Sequence, residues 1–139
     1  MEYTRLGTSG LKVSRICLGC MSFGAPNIRN WTLDGPAAEP LFRKAIELGI
    51  TFWDTANVYG HCSSEQIVGH AIKEYTRRED IVLATKLNGK MSDGPGGQGL
   101  SRRAVMEQVD ASLTRLGTDY IDLYQIHRCL LYTSPSPRD

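Results

Sequence analysis

Short apolar runs alternate with amphipathic stretches along most of this chain. Each apolar run ends near a charged or turn-forming residue, which is typical of buried strands. The stretches between the runs carry apolar residues three and four positions apart, which predicts helices. A β-hairpin built from Tyr3–Leu6 and Leu11–Ser14 is expected before the first run. The predicted strands are Arg15–Leu18, Ile50–Asp54, Ile81–Lys86 and Ile121–His127, and the predicted helices are Gly35–Leu48, Ser64–Tyr75 and Arg102–Leu116.

Turn and capping residues mark where these elements begin and end. Gly7–Gly10 is turn sequence between the two hairpin strands. Asp34 and Ser101 are typical N-caps of the first and third helices, and Ser63 with Gln66 fits a capping box at the second helix. The apolar face of the first helix is predicted at Leu41, Ala45 and Leu48, and that of the third helix at Val105, Val109, Leu113 and Leu116.

The alternation of strands and helices predicts an α/β fold. Strands that are apolar on both faces belong to a parallel sheet covered by helices. An open doubly wound sheet and a barrel both satisfy this pattern, and periodicity does not separate them.

Ionisable residues stand out at the carboxyl ends of three of these apolar strands, where Asp54, Lys86 and His127 lie. Strand ends are commonly solvated, so one such residue alone would carry little weight. Parallel strands bring all three to one edge, which is where α/β barrels and sheets place their active sites. Tyr59, five residues after Asp54, lies in a loop that can fold back over the same edge.

These four side chains suit one type of proton transfer. A tyrosine with its usual pKa of about 10 exchanges protons poorly at neutral pH, and a nearby ammonium such as Lys86 favours the phenolate. The Asp54 carboxylate would keep that ammonium charged in a partly dry cleft. A neutral His127 can donate a hydrogen bond to a carbonyl oxygen and hold it in place. The set therefore predicts a site that protonates a carbonyl oxygen as a hydride is added to the carbonyl carbon.

Composition and charge narrow the partners further. The chain has 139 residues and a formal charge of +1, with 16 basic and 15 acidic residues, so its balance predicts neither a nucleic acid nor a membrane surface as partner. Four cysteines are too few for a secreted disulfide scaffold, and no apolar stretch is long enough to span a membrane. The amino terminus has no signal-peptide core, so we expect a soluble cytoplasmic protein.

Three motif-like patterns are interpreted as structural. Gly94–Gly99 matches G-x-G-x-x-G but does not directly follow its strand, so a flexible loop is the better interpretation. Cys17 and Cys20 are three residues apart in and after a strand, and we expect two buried small side chains. No metal site is expected, because the spacing of the possible ligands does not match a zinc finger; those ligands are His61, Cys62 and His70.

Several ordered motifs resemble the aldo/keto reductases, in particular the bacterial branch related to potassium-channel β subunits and aryl-alcohol dehydrogenases. The match extends from Met1 to Arg128. The motifs are Leu6–Ser14, Leu18–Gly24, Phe52–Gly60, Ser64–Gly69, Ala84–Lys86 and Tyr124–Arg128.

The resemblance implies a (β/α)₈ barrel whose lower end is plugged by the hairpin, and reduction of small aldehydes and ketones by NADPH. It implies that Tyr59 is the general acid. It also places Cys20 and Met21 beside the nicotinamide ribose. The implied catalytic residues are Asp54, Tyr59, Lys86 and His127, and the implied cofactor-binding residues are Cys20, Met21 and Asp54.

A complete barrel needs eight strand–helix units and about 250 residues, whereas four strands are predicted here. We therefore expect residues 1–128 to be the amino-terminal half of such a barrel, with most of the NADPH site in a missing half and no activity as truncated. The alternatives are a non-catalytic NADPH-binding regulatory module of the same fold and a self-associating half-barrel.

Residues 129–139 contain two Ser-Pro steps and depart from the family pattern. We therefore expect an unrelated tail such as translated adapter sequence, the alternative being a genuine disordered tail.

Overall fold

The computed structural model describes residues 1–128, so the predicted tail 129–139 lies outside the described residues. Strands β1 (Tyr3–Arg5) and β2 (Lys12–Ser14) form an antiparallel hairpin, as the turn sequence predicts. The remaining elements alternate strand and helix. They are β3 (Cys17–Gly19), α1 (Gly35–Glu47), β4 (Phe52–Asp54), α2 (Ser63–Tyr75), β5 (Val82–Leu87), α3 (Arg102–Leu116) and β6 (Leu123–Ile126), with 3₁₀ turns at Tyr59–Cys62 and Arg78–Asp80.

The four later strands form one parallel sheet in the order β3-β4-β5-β6. Each new strand is added beside the preceding one, on the same edge, and a helix makes every crossover. A doubly wound sheet reverses its strand order at a switch point, and no reversal occurs among residues 1–128. The sequence left the open sheet and the barrel undecided, and this winding is that of consecutive units of a barrel.

The main core lies between the outer face of the sheet and the helices. Trp53 and Leu83 point outward from adjacent strands and are fully buried. Phe42 of α1 packs on Trp53 with ring centroids 5.1 Å apart, and Phe23 packs on Phe42 at 4.8 Å. Phe52, on the opposite face of β4, is only half-buried. The sheet is therefore anchored to its helices, while its inner face is the more open one.

Helices α2 and α3 are joined by a buried ion pair. Glu65 is completely buried, and its carboxylate accepts hydrogen bonds from Thr85 Oγ1 and from Arg115 Nε, each at 2.6 Å. The helices also approach closely at Gly69, where a Cβ atom would stand 2.3 Å from the carbonyl oxygen of Leu116. These contacts fix α2 and α3 against β5.

The predicted apolar faces of α1 and α3 are shifted around their helices. In α1 the buried residues are Ala38, Phe42 and Ala45, whereas Leu41 and Leu48 are 45% and 49% exposed. In α3 the buried face includes Gln108 and Ser112, with Val105, Val109 and Leu113 only half-buried. Ala45 and Leu116 are buried as predicted. The α3 prediction is wrong for the other three residues because part of the buried face is polar: Gln108 binds Asn57 and the Gly96 carbonyl, at 3.3 Å and 3.1 Å.

Two of the three predicted helix caps form. The side chains of Asp34 and Ser101 accept hydrogen bonds from Ala37 N and Ala104 N, at 3.0 Å and 3.1 Å. The capping box predicted at Ser63 is wrong, because Ser63 is already helical and its hydroxyl donates to the Gly60 carbonyl. That serine instead joins the α2 terminus to the preceding turn.

Candidate active site

Strand register brings the ionisable residues together on the inner face of the sheet. Asp54 pairs with Ala84, and Lys86 lies two residues further along β5. Gln125 of β6 lies opposite Lys86, and His127 follows two residues later. Because side chains alternate along a strand, these residues all point to the same side. The apolar sequence around them buries the other side against the helices.

Lys86 is the centre of the cluster. Its ammonium lies 2.5 Å from Asp54 Oδ2, donates to the Thr55 carbonyl at 2.8 Å, and lies 3.5 Å from Tyr59 Oη. The Lys86 and Asp54 side chains are 13% and 26% exposed. The ion pair is therefore mostly withdrawn from solvent, where charge–charge interactions are stronger than in water.

Tyr59 reaches the cluster because the loop after β4 turns back sharply. Its backbone N–H donates to the Ala56 carbonyl at 3.1 Å. Gly60, His61 and Cys62 then have positive φ angles of 55°, 50° and 77°. A Cβ atom on Gly60 would stand 2.8 Å from the Gly24 backbone, so glycine is required there for space as well as for φ. Two non-glycine residues in the left-handed region are uncommon and occur more often at functional sites.

His127 completes a pair of hydrogen-bonding groups with Tyr59. Its Nε2 lies 3.3 Å from Tyr59 Oη, and the two rings meet edge-on with centroids 5.3 Å apart. Burial lowers the pKa of His127 below its usual 6.5, and the charges of Lys86 and Arg128 act in the same direction. The imidazole is therefore neutral at neutral pH, and one ring nitrogen carries a proton that it can donate.

Gln125 is a residue of this cluster that sequence reasoning missed. Its side-chain amide donates to Asp54 Oδ1 at 2.9 Å, so one carboxylate oxygen is bound by Lys86 and the other by Gln125. The sequence analysis searched for ionisable residues, and Gln125 is uncharged. Its position could have identified it, because a residue two before His127 lies on the same face of the strand.

The two residues expected beside a cofactor differ in accessibility. Cys20 is fully buried, its thiol directed at the Leu18 carbonyl at 3.4 Å, and burial raises the pKa of that thiol. The backbone of Cys20 is engaged as well, because its N–H donates to the Asp54 carbonyl at 2.8 Å and its carbonyl accepts from Ser64 Oγ at 2.7 Å. Met21 is 53% exposed and lines the same cavity as Tyr59.

The motif-like patterns lie outside this cluster. Cys17 is exposed, so the expectation of two buried cysteines is wrong for Cys17, which lies on the more open inner face of the sheet. The Gly94–Gly99 loop is held by Gln108 and by a hydrogen bond from Met91 N to the Gly97 carbonyl at 2.8 Å.

Within residues 1–128 no three His, Cys, Asp or Glu side chains are grouped as metal ligands. Over the same range no helix combines the length and apolar character needed to cross a membrane.

Tyr59 and His127 border a cavity of about 460 Å³ that opens to solvent. A carbonyl oxygen between these two groups can accept a hydrogen bond from each, and the lysine lies directly behind the tyrosine. Two donors aimed at one oxygen stabilise the negative charge that develops when a carbonyl is reduced. The arrangement can therefore polarise a carbonyl group and supply it with a proton.

Comparisons with known proteins agree on one family. The profile of the Aldo/keto reductase family matches residues 15–135. The versiconal hemiacetal acetate reductase of Aspergillus parasiticus is 45% identical over 146 residues, covering 92% of this chain and 42% of that protein. The aldo-keto reductase YhdN of Bacillus subtilis is 42% identical over 127 residues, covering 91% and 38%.

A solved structure gives the same result in three dimensions. The aldo-keto reductase AKR11C1 of Bacillus halodurans, in its holo form, superimposes with a TM-score of 0.76 at 42% identity, covering 91% of this chain and 40% of that one. This chain thus spans about 40% of the length of the relatives it matches.

Proposed function

Because the chain belongs to the aldo/keto reductase family, we propose that it is the amino-terminal part of an NADPH-dependent reductase that converts aldehydes or ketones to alcohols. The observation that carries the proposal is the hydrogen-bonded set of Asp54, Lys86, Tyr59 and His127 on one strand-end face. Tyr59 Oη and His127 Nε2 face the position of the substrate oxygen, whereas Lys86 acts through Tyr59, and Asp54 acts through Lys86.

Tyr59 is the proposed proton donor. Its hydroxyl and the His127 imidazole both hydrogen bond to the substrate oxygen, and the tyrosine proton moves to that oxygen as the carbon is reduced. Lys86 stabilises the tyrosinate that remains, because its ammonium lies 3.5 Å from Tyr59 Oη. Asp54, 2.5 Å from the lysine, holds the ammonium in position. A neutral His127 orients the oxygen without competing as an acid.

The described residues fit a nicotinamide on this face. Met21 and the partly exposed edge of Asp54 are accessible beside Tyr59. Cys20 has no exposed group to offer a cofactor, because it is fully buried and its backbone N–H and carbonyl are already bound to Asp54 and Ser64. NADPH, when bound, supplies the hydride. Because this chain covers about 40% of its relatives' length, we propose that further segments of the whole protein hold most of the cofactor.

The chain as given is proposed to be inactive by itself. Catalysis needs the reacting carbons held close together and aligned, and residues 1–128 form four strands and three helices of an eight-unit barrel. The edges of β3 and β6 have no neighbouring strand among the described residues, and half-buried residues such as Phe52 and Val82 line the inner face. Open edges and apolar surface favour self-association.

The test uses the whole protein that contains this chain. Consumption of NADPH with a simple aromatic aldehyde is followed by absorbance, and cofactor binding is followed separately by fluorescence. Tyr59→Phe should abolish reduction while leaving NADPH binding nearly unchanged, because only the transferable proton is lost. Retention of more than about a tenth of kcat, a loss under ~1.4 kcal/mol, would contradict the assigned role.

Two other outcomes correspond to the alternative functions. NADPH binding with no turnover of any carbonyl would indicate a regulatory module of the same fold. Residues 1–128 and 1–139 should be compared by sedimentation and NADPH titration. A soluble monomer that binds NADPH and turns over an aldehyde would show that half a barrel suffices, contrary to the proposal.

A further inference from the structure

The cavity above Tyr59 and His127 has an uneven distribution of charge. Two arginines, Arg29 and Arg128, contribute to its lining, and no lining residue within the described chain is acidic. Asp54, the acid of the catalytic cluster, already has both oxygens bound by Lys86 and Gln125. The mouth of the cavity is therefore cationic without a compensating carboxylate of its own.

Both arginines of the cavity have no carboxylate partner among the described residues, as is also the case for Arg5 and Arg102. Within residues 1–128, neither guanidinium forms an ion pair, whereas Arg43 and Arg103 each bind a glutamate, at 2.7 Å and 2.6 Å. The guanidinium of Arg29 instead lies 5.3 Å from the centroid of the Trp31 ring. A guanidinium stacked on an aromatic face keeps its N–H groups free along its edge and can bind a carboxylate through two of them.

The rest of the cavity wall is apolar. Trp31 and Met21 are 43% and 53% exposed, and Ile28 and Val58 line the same space. A large exposed aromatic side chain beside catalytic groups is suited to contact a planar apolar ligand. The cavity wall thus favours a ligand with an aromatic ring, and the two arginines favour a ligand that also carries a negative charge.

Hydrogen bonds hold the backbone of the two segments that carry these side chains beside the site. The segment that carries Arg29 and Trp31 is closed by a bond from Gly24 N to the Leu33 carbonyl at 2.9 Å, and Ala25 N donates to Ser63 Oγ at 2.7 Å. On the opposite side, the Asn88 side chain donates to the Arg128 carbonyl at 2.8 Å. Both arginines are therefore anchored by their backbones at the cavity, as a preorganised binding site requires.

We infer that the preferred substrates are aromatic carbonyl compounds that carry a carboxylate, with the carbonyl oxygen at Tyr59 and His127 and the carboxylate at Arg29 and Arg128. This inference rests on the proposed function. It goes further because it names the chemical class selected by the cavity.

The test compares 4-carboxybenzaldehyde with methyl 4-formylbenzoate in the whole protein. The two differ in charge, and the ester group withdraws electrons more strongly, so intrinsic reactivity favours the neutral ester. We expect kcat/KM to be about tenfold higher for the carboxylate, equivalent to ~1.4 kcal/mol. Raising NaCl from about 20 mM to about 500 mM should reduce that ratio, because the screening length falls from roughly 20 Å to about 4 Å.

Variants assign the preference to the cavity. Arg29→Met should lower the carboxylate-to-ester ratio about fivefold, and Arg29→Lys should restore much of it because the charge is kept. Arg5→Met, an exposed arginine on β1, is the control and should leave the ratio unchanged. A ratio near or below one, or one insensitive to Arg29→Met, would overturn the inference while leaving the reductase function intact.

If the whole protein reduces no carbonyl compound, the proposed function fails, and binding then decides the inference. Terephthalate should quench the fluorescence of Trp31, dimethyl terephthalate should bind more weakly, and Arg29→Met should weaken only the terephthalate response. Trp31→Phe should remove the quenching, which would assign the fluorescence change to Trp31. Trp53 is buried and does not line the cavity. Equal binding of acid and ester, or no binding of the acid, would refute the inference.

Discussion

The buried ion pair between α2 and α3 gives a prediction whose magnitude follows from burial. Replacing Arg115 by leucine leaves the Glu65 carboxylate, which is 0% exposed, with only the Thr85 hydroxyl as partner. Removing one member of a buried pair costs about 3–5 kcal/mol, because the remaining charge has neither water nor a counter-ion. We expect the free energy of unfolding to fall by that amount in Arg115→Leu.

The chain contains a matched control on the same helix. Arg103 binds Glu107 through its Nε at 2.6 Å, the same distance as in the Arg115–Glu65 pair, but the side chains are 64% and 47% exposed. Arg103→Leu should therefore cost less than about 1 kcal/mol, as exposed pairs do. The two substitutions remove the same kind of contact and differ mainly in burial.

The assay is urea unfolding of the whole protein, followed by fluorescence of Trp53, which is buried beneath α1. Glu65→Leu/Arg115→Leu removes both charges and should be less destabilising than Arg115→Leu alone. Equal losses in Arg115→Leu and Arg103→Leu, or a double variant much worse than Arg115→Leu, would refute the reasoning from burial.

Four further outcomes are expected. Lys86→Met should slow carbonyl reduction by roughly 10²-fold or more and alter the pH–rate profile, because the charge beside the proton donor is lost; steady-state kinetics measures both. Gln125→Leu should lower kcat more than it raises KM, because Asp54 loses the amide that orients it. Gly69→Ala should destabilise the protein by about 1–3 kcal/mol in thermal unfolding, since the new methyl group would meet α3 backbone. Because burial lowers the pKa of His127 below 6.5, the unfolded chain binds that proton more readily, so thermal stability should decline as the pH falls below about 6.5 and His127→Asn should weaken this dependence.

Each of these outcomes has a control or a contrary result. An unchanged pH–rate profile at a near-normal rate in Lys86→Met would exclude the role of Lys86. No apolar residue in place of Gln125 is expected to restore kcat. Gly35→Ala, where a Cβ atom meets nothing within 4 Å, should cost far less than Gly69→Ala. A pH dependence of stability identical in His127→Asn and the parent would assign it to other groups.

The sequence alone determined the order of elements, the helix starts at Asp34 and Ser101, and the family. Those features depend on local periodicity, on capping chemistry and on ordered motifs, all of which can be read along the chain. It also indicated the shared face of Asp54, Lys86 and His127, because parallel strands place their carboxyl ends together. The grouping of these side chains with Tyr59 is seen in the structure, whereas their catalytic roles stay predictions.

Only the tertiary structure decided the features that depend on which element lies beside which. The strand order selects a barrel winding over a doubly wound sheet, and periodicity carries no information about strand neighbours. Gln125 joined the cluster through its register with Lys86, and Cys20 turned inward to the core. The buried face of α3 is polar at Gln108 because its partners come from distant loops, and local hydrophobicity cannot anticipate hydrogen bonds formed between such segments.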